Sequence, residues 1–219
     1  MASEVKDFGN LEANLEFLDR SGLLSPDARI LEIGSGQGAL LHALRTRGIE
    51  AVGVETSPDR VAEARSRFGT LPIEQTSGIT LPFPDGAFDL VLSFDVFEHI
   101  PDSDAHLAEV RRVLKPSGWY LLQTPSKWSN TIFETIRWRS LTRWRDDHCA
   151  LHSYGELEQR LNRLGFQTSF EDVKVVAPFF REKVRRHLGV VGVAALAVFN
   201  PDRLPLKWRT NLYVRAQKI

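Results

Sequence analysis

Glu32 is followed at two-residue intervals by Gly34, Gly36 and Gly38, and this group could do more chemistry than any other stretch of the chain. Ile30, Leu31 and Ile33 form an apolar run before the glycines, and Ala39, Leu40, Leu41 and Leu44 follow at helical spacing. A buried strand therefore feeds a helix through a turn with almost no side chains, so the backbone can bend tightly and a ligand can come close to it. An acid at such a strand end is costly to bury unless it has a partner. A carboxylate beside the turn attracts a cation and repels a pyrophosphate. No Lys follows Gly38, which excludes the phosphate-cradling Gly-x-x-x-x-Gly-Lys-Ser/Thr loop. The Gly-x-Gly-x-Gly spacing also differs from the Gly-x-Gly-x-x-Gly of dinucleotide sites. The bland alternative is a tight strand-to-helix turn carrying a surface Glu.

A second acid, Glu55, ends the apolar run Ile49 to Val54. It lies about 20 residues past the glycines, the distance at which an acidic side chain reaches a pair of ribose hydroxyls. A third run, Leu81-Pro82-Phe83-Pro84-Asp85 through Phe88-Asp89-Leu90-Val91-Leu92-Ser93, reads as a turn and a strand, and it leads into Phe94, Glu98, His99 and Ile100. Arg112-Val113-Leu114-Lys115-Pro116-Ser117-Gly118 follows.

These four blocks, in this order, resemble the class I S-adenosylmethionine-dependent methyltransferases. The branch they resemble acts on small molecules and includes enzymes like those of ubiquinone and menaquinone biosynthesis. The likeness covers residues 25–125, with a weaker echo at 146–176. It implies a Rossmann-like, seven-stranded α/β sheet, mostly parallel with an antiparallel last strand and helices on both faces. It also implies S-adenosylmethionine as cofactor, held by Glu32, Gly34, Ser35, Gly36, Gly38, Glu55, Thr56, Ser77, Gly78, Ser93 and Phe94. In that scheme Glu32 faces the cationic amino-acid end, Glu55 the ribose, and Ser93 and Phe94 the adenine side. Two departures stand out. The family often has an acid just before the third block to bind the adenine amino group, and that place falls here at Ser77 or Gly78. The family also shows two glycines where this chain has Ser117 and Gly118.

His99 matches the Glu-His of the third block and would lie near the methyl donor, where an imidazole can take up a proton. His148, after Asp146 and Asp147, resembles a His at the same point in related enzymes. His99 and His148 are therefore the candidate catalytic residues, each weighed against a plain structural role. His152 stands at the start of the next helix. No Cys/His cluster has metal-ligand spacing, so no metal is expected.

The elements that must position these groups follow from periodicity. Helices are expected near 10–21, 38–47, 58–67, 103–114 and 153–164, and strands near 29–33, 50–55, 71–75, 88–93, 118–124, 166–176 and 210–217. Strand–helix alternation implies right-handed crossovers and a parallel sheet, with ligand at the carboxyl ends of the strands. A chain of 219 residues suits one such domain. Lys plus Arg equals Asp plus Glu at 28 each, so no overall field favours nucleic acid. The single Cys149 excludes an internal disulfide, and the polar start carries no apolar leader, which together point to the cytoplasm.

Two inserts exceed the minimal fold. Residues 125–150 hold Trp128, Trp138 and Trp144 among Arg137, Arg139, Arg143 and Arg145, a lid over the acceptor or a helix packed on the core. Residues 177–208 begin with Phe179, Phe180 and Val184 among Arg181, Lys183, Arg185 and Arg186, and Leu188 to Phe199 is almost wholly apolar. That segment is a pocket cap, a contact in a homodimer, or a peripheral membrane contact that reaches a lipid-linked substrate. The expected activity is methyl transfer to a small-molecule or glycan acceptor, at oxygen. The alternatives are C- or N-methylation of a quinone precursor or amine, and a cofactor-binding partner subunit without turnover. Nucleic acid is not an expected substrate, because the Asn/Asp-Pro-Pro-Tyr/Phe motif of base methylation is absent.

Overall fold

The computed structural model describes residues 10–138, 148–176, 178–198 and 200–219. Seven strands form one sheet, β1 (Ile30–Ile33), β2 (Ala51–Glu55), β3 (Ile73–Gln75), β4 (Phe88–Phe94), β5 (Leu114–Pro125), β6 (Phe166–Glu171) and β7 (Asn211–Lys218), in the order β3-β2-β1-β4-β5-β7-β6. β1 to β5 pair in parallel, and β7 runs antiparallel between β5 and β6. The order reverses direction between β1 and β4, which is the switch point where open α/β sheets bind ligands beyond their carboxyl ends.

Side chains alternate across this sheet as the two-residue strand period demands. On one face Ile30, Leu90, Leu92 and Tyr213 pack under α1 (Leu11–Ser21), α2 (Ala39–Thr46) and α3 (Pro58–Phe68) through Phe17, Leu18, Leu41, Leu44 and Ala64. On the other, Leu31, Ile33, Val91, Leu122 and Val214 pack under α4 (Ser103–Val113) and α6 (Tyr154–Arg163) through Leu107, Val110, Leu157 and Leu161. Helix starts are marked by capping side chains: Ser57 accepts from the Arg60 N–H ahead of Pro58 in α3, Asp102 from the Ala105 N–H in α4, and Ser153 and Glu156 form a capping box on α6. His152, placed by the sequence at the start of α6, is thus not its cap; it is buried beside the Phe97 ring.

Two expectations are adjusted. The strand expected over 166–176 ends at Glu171, because Asp202 takes the Val175 and Val176 N–H groups at 3.0 Å, and Val173 and Val175 turn into the first face instead. β5 begins four residues early, at Leu114. Ser117 adopts φ 60°, a left-handed backbone that a glycine takes without strain, which accounts for the glycine the resembled family usually has there.

The 125–150 insert contributes α5 (Lys127–Trp138), in which Trp128 packs edge-on against Trp208 at 6.2 Å. Arg139, Arg143, Trp144 and Arg145, and the side chains of Arg137 and Trp138, lie outside the described residues. The 177–208 insert contributes α7 (Pro178–Val198), broken at Gly189 by a left-handed φ of 64°. Its first half is anchored by buried Val184, while Val190 and Val191 beyond the break are 79% and 81% exposed. No helix among the described residues is long and apolar enough to cross a membrane.

One buried polar chain ties the second face to the carboxyl ends. His106 Nδ1 lies 2.7 Å from the Gly78 carbonyl, His106 Nε2 lies 3.0 Å from the Tyr120 hydroxyl, and that hydroxyl lies 2.5 Å from Ser93 Oγ. A carbonyl only accepts, so Nδ1 carries the proton, Nε2 accepts from Tyr120, and Tyr120 accepts from Ser93. Burial pulls His106 from its ordinary 6.5 to about 4, with the Gly78 hydrogen bond opposing. The folded chain therefore refuses a proton that the unfolded chain accepts. The stability involved is fully present above about 6.5 and drains as pH falls towards about 4, by up to about 3 kcal/mol. His106→Gln should flatten this acid limb of a urea-midpoint profile measured between pH 7 and 4; an unchanged limb would show that His106 does not set it.

Candidate active site

The turn after β1 is fastened to the end of β2. Gly34 and Ser35 donate to the Val54 carbonyl at 2.8 and 3.0 Å. Gly36 donates to Glu55 Oε2 at 2.9 Å, while Glu55 Oε1 accepts from the Thr56 and Ser57 N–H groups, both at 2.9 Å. The glycines answer to different demands. A Cβ on Gly34 would fall 2.3 Å from a Val96 methyl, so this position needs close approach. At Gly36, with φ 52°, a Cβ would meet only the Gly34 carbonyl at 4.0 Å, so there the left-handed backbone is the demand and the ligand side stays open. Ser35 folds over Gly53, whose missing Cβ would sit 2.7 Å from Ser35 Oγ.

Glu32 is buried in β1, and its Oε2 has no hydrogen-bond partner. Burial pushes its carboxyl up to about 8; a hydrogen bond from the Leu41 backbone opposes this and the charge of Glu55 adds to it. A buried acid with an orphaned oxygen beside a glycine turn has the chemistry to receive a cation.

A cavity of about 710 Å³ opens over these strand ends. Gly34, Glu55, Thr56, Gly78 and Phe94 line it, all of them expected cofactor-binding positions, and so does His99, expected on the catalytic side. Ile33, Val54, Ser57, Arg60, Thr76, Asp95, Val96 and Ile100 complete the lining. The sequence reading missed Arg60 and Asp95. Arg60 sits in the first turn of the helix after Glu55, and Asp95 directly follows Phe94, so adjacency to the motif ends was the available signal.

Ser93 is placed differently from its expected role: it is fully buried, and its hydroxyl is committed to Tyr120, since β4 turns that side chain to the second face. Ser77 is outranked by its neighbours, for Thr76 and Gly78, not Ser77, face the cavity.

On the far side, Asp95 adopts a left-handed φ of 54°. Its N–H donates to the Gln123 carbonyl and to Gln123 Oε1, at 3.1 and 3.0 Å. A short helical turn, Phe97–His99, then brings Glu98 inward and leaves His99 outward. Burial raises the Glu98 carboxyl, Asp95 adds to the rise, and the Thr124 hydroxyl donates to Glu98 Oε2 at 3.0 Å. His148 does not line the cavity itself, but its ring lies 5.0 Å from that of His99.

Comparison with known proteins agrees with this fold. A family described as a methyltransferase domain matches residues 6–169. A probable S-adenosylmethionine-dependent methyltransferase of Mycolicibacterium smegmatis is 32% identical over 98 residues, 45% of this chain and 38% of that protein. The glycine/sarcosine/dimethylglycine N-methyltransferase of Actinopolyspora halophila is 36% identical over 165 residues, 71% of this chain and 28% of that protein. The chain thus spans well under half the length of these relatives. Among solved structures, an S-adenosylmethionine-dependent methyltransferase from Mesorhizobium loti shares the fold, with TM-score 0.63 at 18% identity over 95% of this chain and 100% of that one. The orphaned Glu32 oxygen, the open side of Gly36 and the Glu55 carboxylate fit the cationic and ribose parts of S-adenosylmethionine. Matched across most of its length, the chain belongs to the class I S-adenosylmethionine-dependent methyltransferases.

Proposed function

We propose that this chain transfers a methyl group from S-adenosylmethionine to an oxygen of a small-molecule or glycan acceptor. The observation that carries the reading is the cavity over the strand ends, lined by Gly34 and Glu55 on one side and by His99, backed by His148, on the other. When bound, the cofactor supplies an electrophilic methyl on a sulfonium sulfur. Glu32 and the glycine turn hold its amino-acid end. Glu55 Oε1 is already filled by Thr56 and Ser57, whereas Oε2 carries only Gly36 and keeps room for a ribose hydroxyl. Phe94 and Val96 wall the middle of the cavity. His99 and His148 meet the acceptor, and an imidazole nitrogen there takes the proton its hydroxyl gives up. The remaining contribution is orientation, which suits an in-line displacement.

A second reading is N-methylation of a small amine. It is favoured by the identity to the Actinopolyspora halophila enzyme, whose own name records amine substrates. Transfer of labelled methyl into paired hydroxyl and amine acceptors separates the two.

We further propose that α7 meets an anionic lipid surface and so brings a lipid-linked acceptor within reach. In support, Arg181, Arg185 and Arg186 are exposed before the break, and the apolar Val190 and Val191 directly after it face solvent. The chain should float with anionic vesicles at low salt and detach at high salt, since each basic residue contributes about 1 kcal/mol at such a surface. Failure to float at low salt would leave α7 as a contact between proteins.

Glu55→Ala should weaken S-adenosylhomocysteine binding about ten- to a hundredfold by calorimetry, the loss of a hydrogen bond to a charged group at about 1.5–3 kcal/mol; unchanged affinity would remove Glu55 from the ribose site.

Glu32 supplies a pH signature. Its carboxyl is protonated below about 8 in the free chain, and a bound ammonium requires the carboxylate. Affinity should therefore rise with pH up to about 8, by as much as about tenfold per unit, with a proton released on binding. Calorimetry in buffers of different ionisation enthalpy reads that proton directly. Glu32→Gln should abolish the release, and release persisting in that variant would assign the proton to another group.

A further inference from the structure

We propose that Glu98, His99 and His148 form a divalent-cation site at the acceptor end of the cavity. Their ligand atoms all lie within 4.8 Å of one another, and Glu98 Oε1 is 3.9 Å from His99 Nε2. Ligands around a small divalent ion with bonds near 2.1 Å stand about 3.0–3.4 Å apart. Closure thus asks for movements of about an ångström, and the His99 side chain, 47% exposed, lies on the solvent side of the cluster.

The surroundings hold the three groups together. Glu98 is 2% exposed, and the Thr124 hydroxyl occupies its Oε2, which leaves Oε1 on the side of the imidazoles. The segment bearing His148 is pinned to Glu98 itself: the Ala150 N–H donates to the Glu98 carbonyl at 2.9 Å, and the Cys149 thiol lies 3.7 Å from the same oxygen. Asn130 stands 2.9 Å from His148 Nδ1. The Asn130 amide nitrogen faces Nδ1; once the amide flips, its oxygen accepts from Nδ1–H, the outer-shell contact that metal-binding histidines usually have, and Nε2 is the nitrogen left for the ion.

Two imidazoles and one carboxylate suit zinc, manganese or ferrous iron, and three protein ligands leave positions for an incoming molecule. The role of the ion, though not the site, rests on the methyl-transfer reading. An acceptor hydroxyl that binds the cation loses its proton to solvent water more readily. The oxygen is then the nucleophile, its bond to the methyl carbon forms as the carbon–sulfur bond breaks, and the electron pair of that bond stays on sulfur. With the cation in place, the histidines hold the ion and need not take the proton.

Titration of the full chain with manganese or zinc chloride by calorimetry should show one saturable site of micromolar Kd. His148→Ala and Glu98→Gln should each weaken it at least tenfold. S-adenosylhomocysteine binding should persist in both variants, which certifies that they are folded. No saturable binding of either ion up to millimolar concentration, or equal affinity in wild type and in a folded His148→Ala variant, would overturn the site. Metal binding intact in a chain that does not bind S-adenosylhomocysteine would keep the site and reject the methyl-transfer reading instead.

Discussion

The carboxylate of Glu55 is the fastening on which the donor end of the cavity depends. It receives N–H groups from Gly36 on one side and from Thr56 and Ser57 on the other, so it joins the turn after β1 to the turn after β2. Hydrogen bonds to a charged acceptor are stronger than neutral ones, more so where burial lowers the local dielectric. The same charge reaches Glu32 and adds to the cost of ionising it. The turn is thus shaped by Glu55 itself, while the buried Glu32 keeps an oxygen without a partner.

The two ends of the cavity were legible to different degrees, and the reason is contiguity. The donor end comes from strand termini and the residues just beyond them. Glu32, the glycines and Glu55 could be placed from apolar run lengths alone, and the structure sets Gly34 and Glu55 in the cavity wall. The acceptor end comes from segments distant in the chain. Glu98 and His99 adjoin β4, but His148 arrives after α5, and nothing in the spacing of Cys and His shows that a buried Glu completes a cluster with them. Ser93 illustrates a second limit. Its position at a strand end was readable, but the face it turns to depends on strand parity at that residue, and parity sends its hydroxyl to Tyr120.

The order of elements was largely readable because strand and helix periods differ, and their boundaries failed where side chains override the pattern. The alternation in 166–176 continues past Glu171, yet Asp202 captures the Val175 and Val176 amides, so no ladder forms. The 177–208 insert shows the opposite case. Its apolar composition is plain, but composition is silent on what the residues face, and in the structure Val190 and Val191 face outward beyond a break at Gly189.

The position of β7 has a consequence for how the chain comes to be. Among the described residues β6 pairs with no strand except β7, and β7 fills the gap beside β5. On a ribosome, β5 and β6 are made first and wait, one with a bare edge and the other with no partner, until residues 211–218 emerge. Tyr213 and Val214 then enter opposite faces of the core together. Closure of the sheet is therefore a late, long-range event, of the kind that slows folding and leaves strand edges open to wrong partners. The last strand behaves as a keystone: the arch stands only after it drops in, and the nascent chain is at its most vulnerable just before that moment.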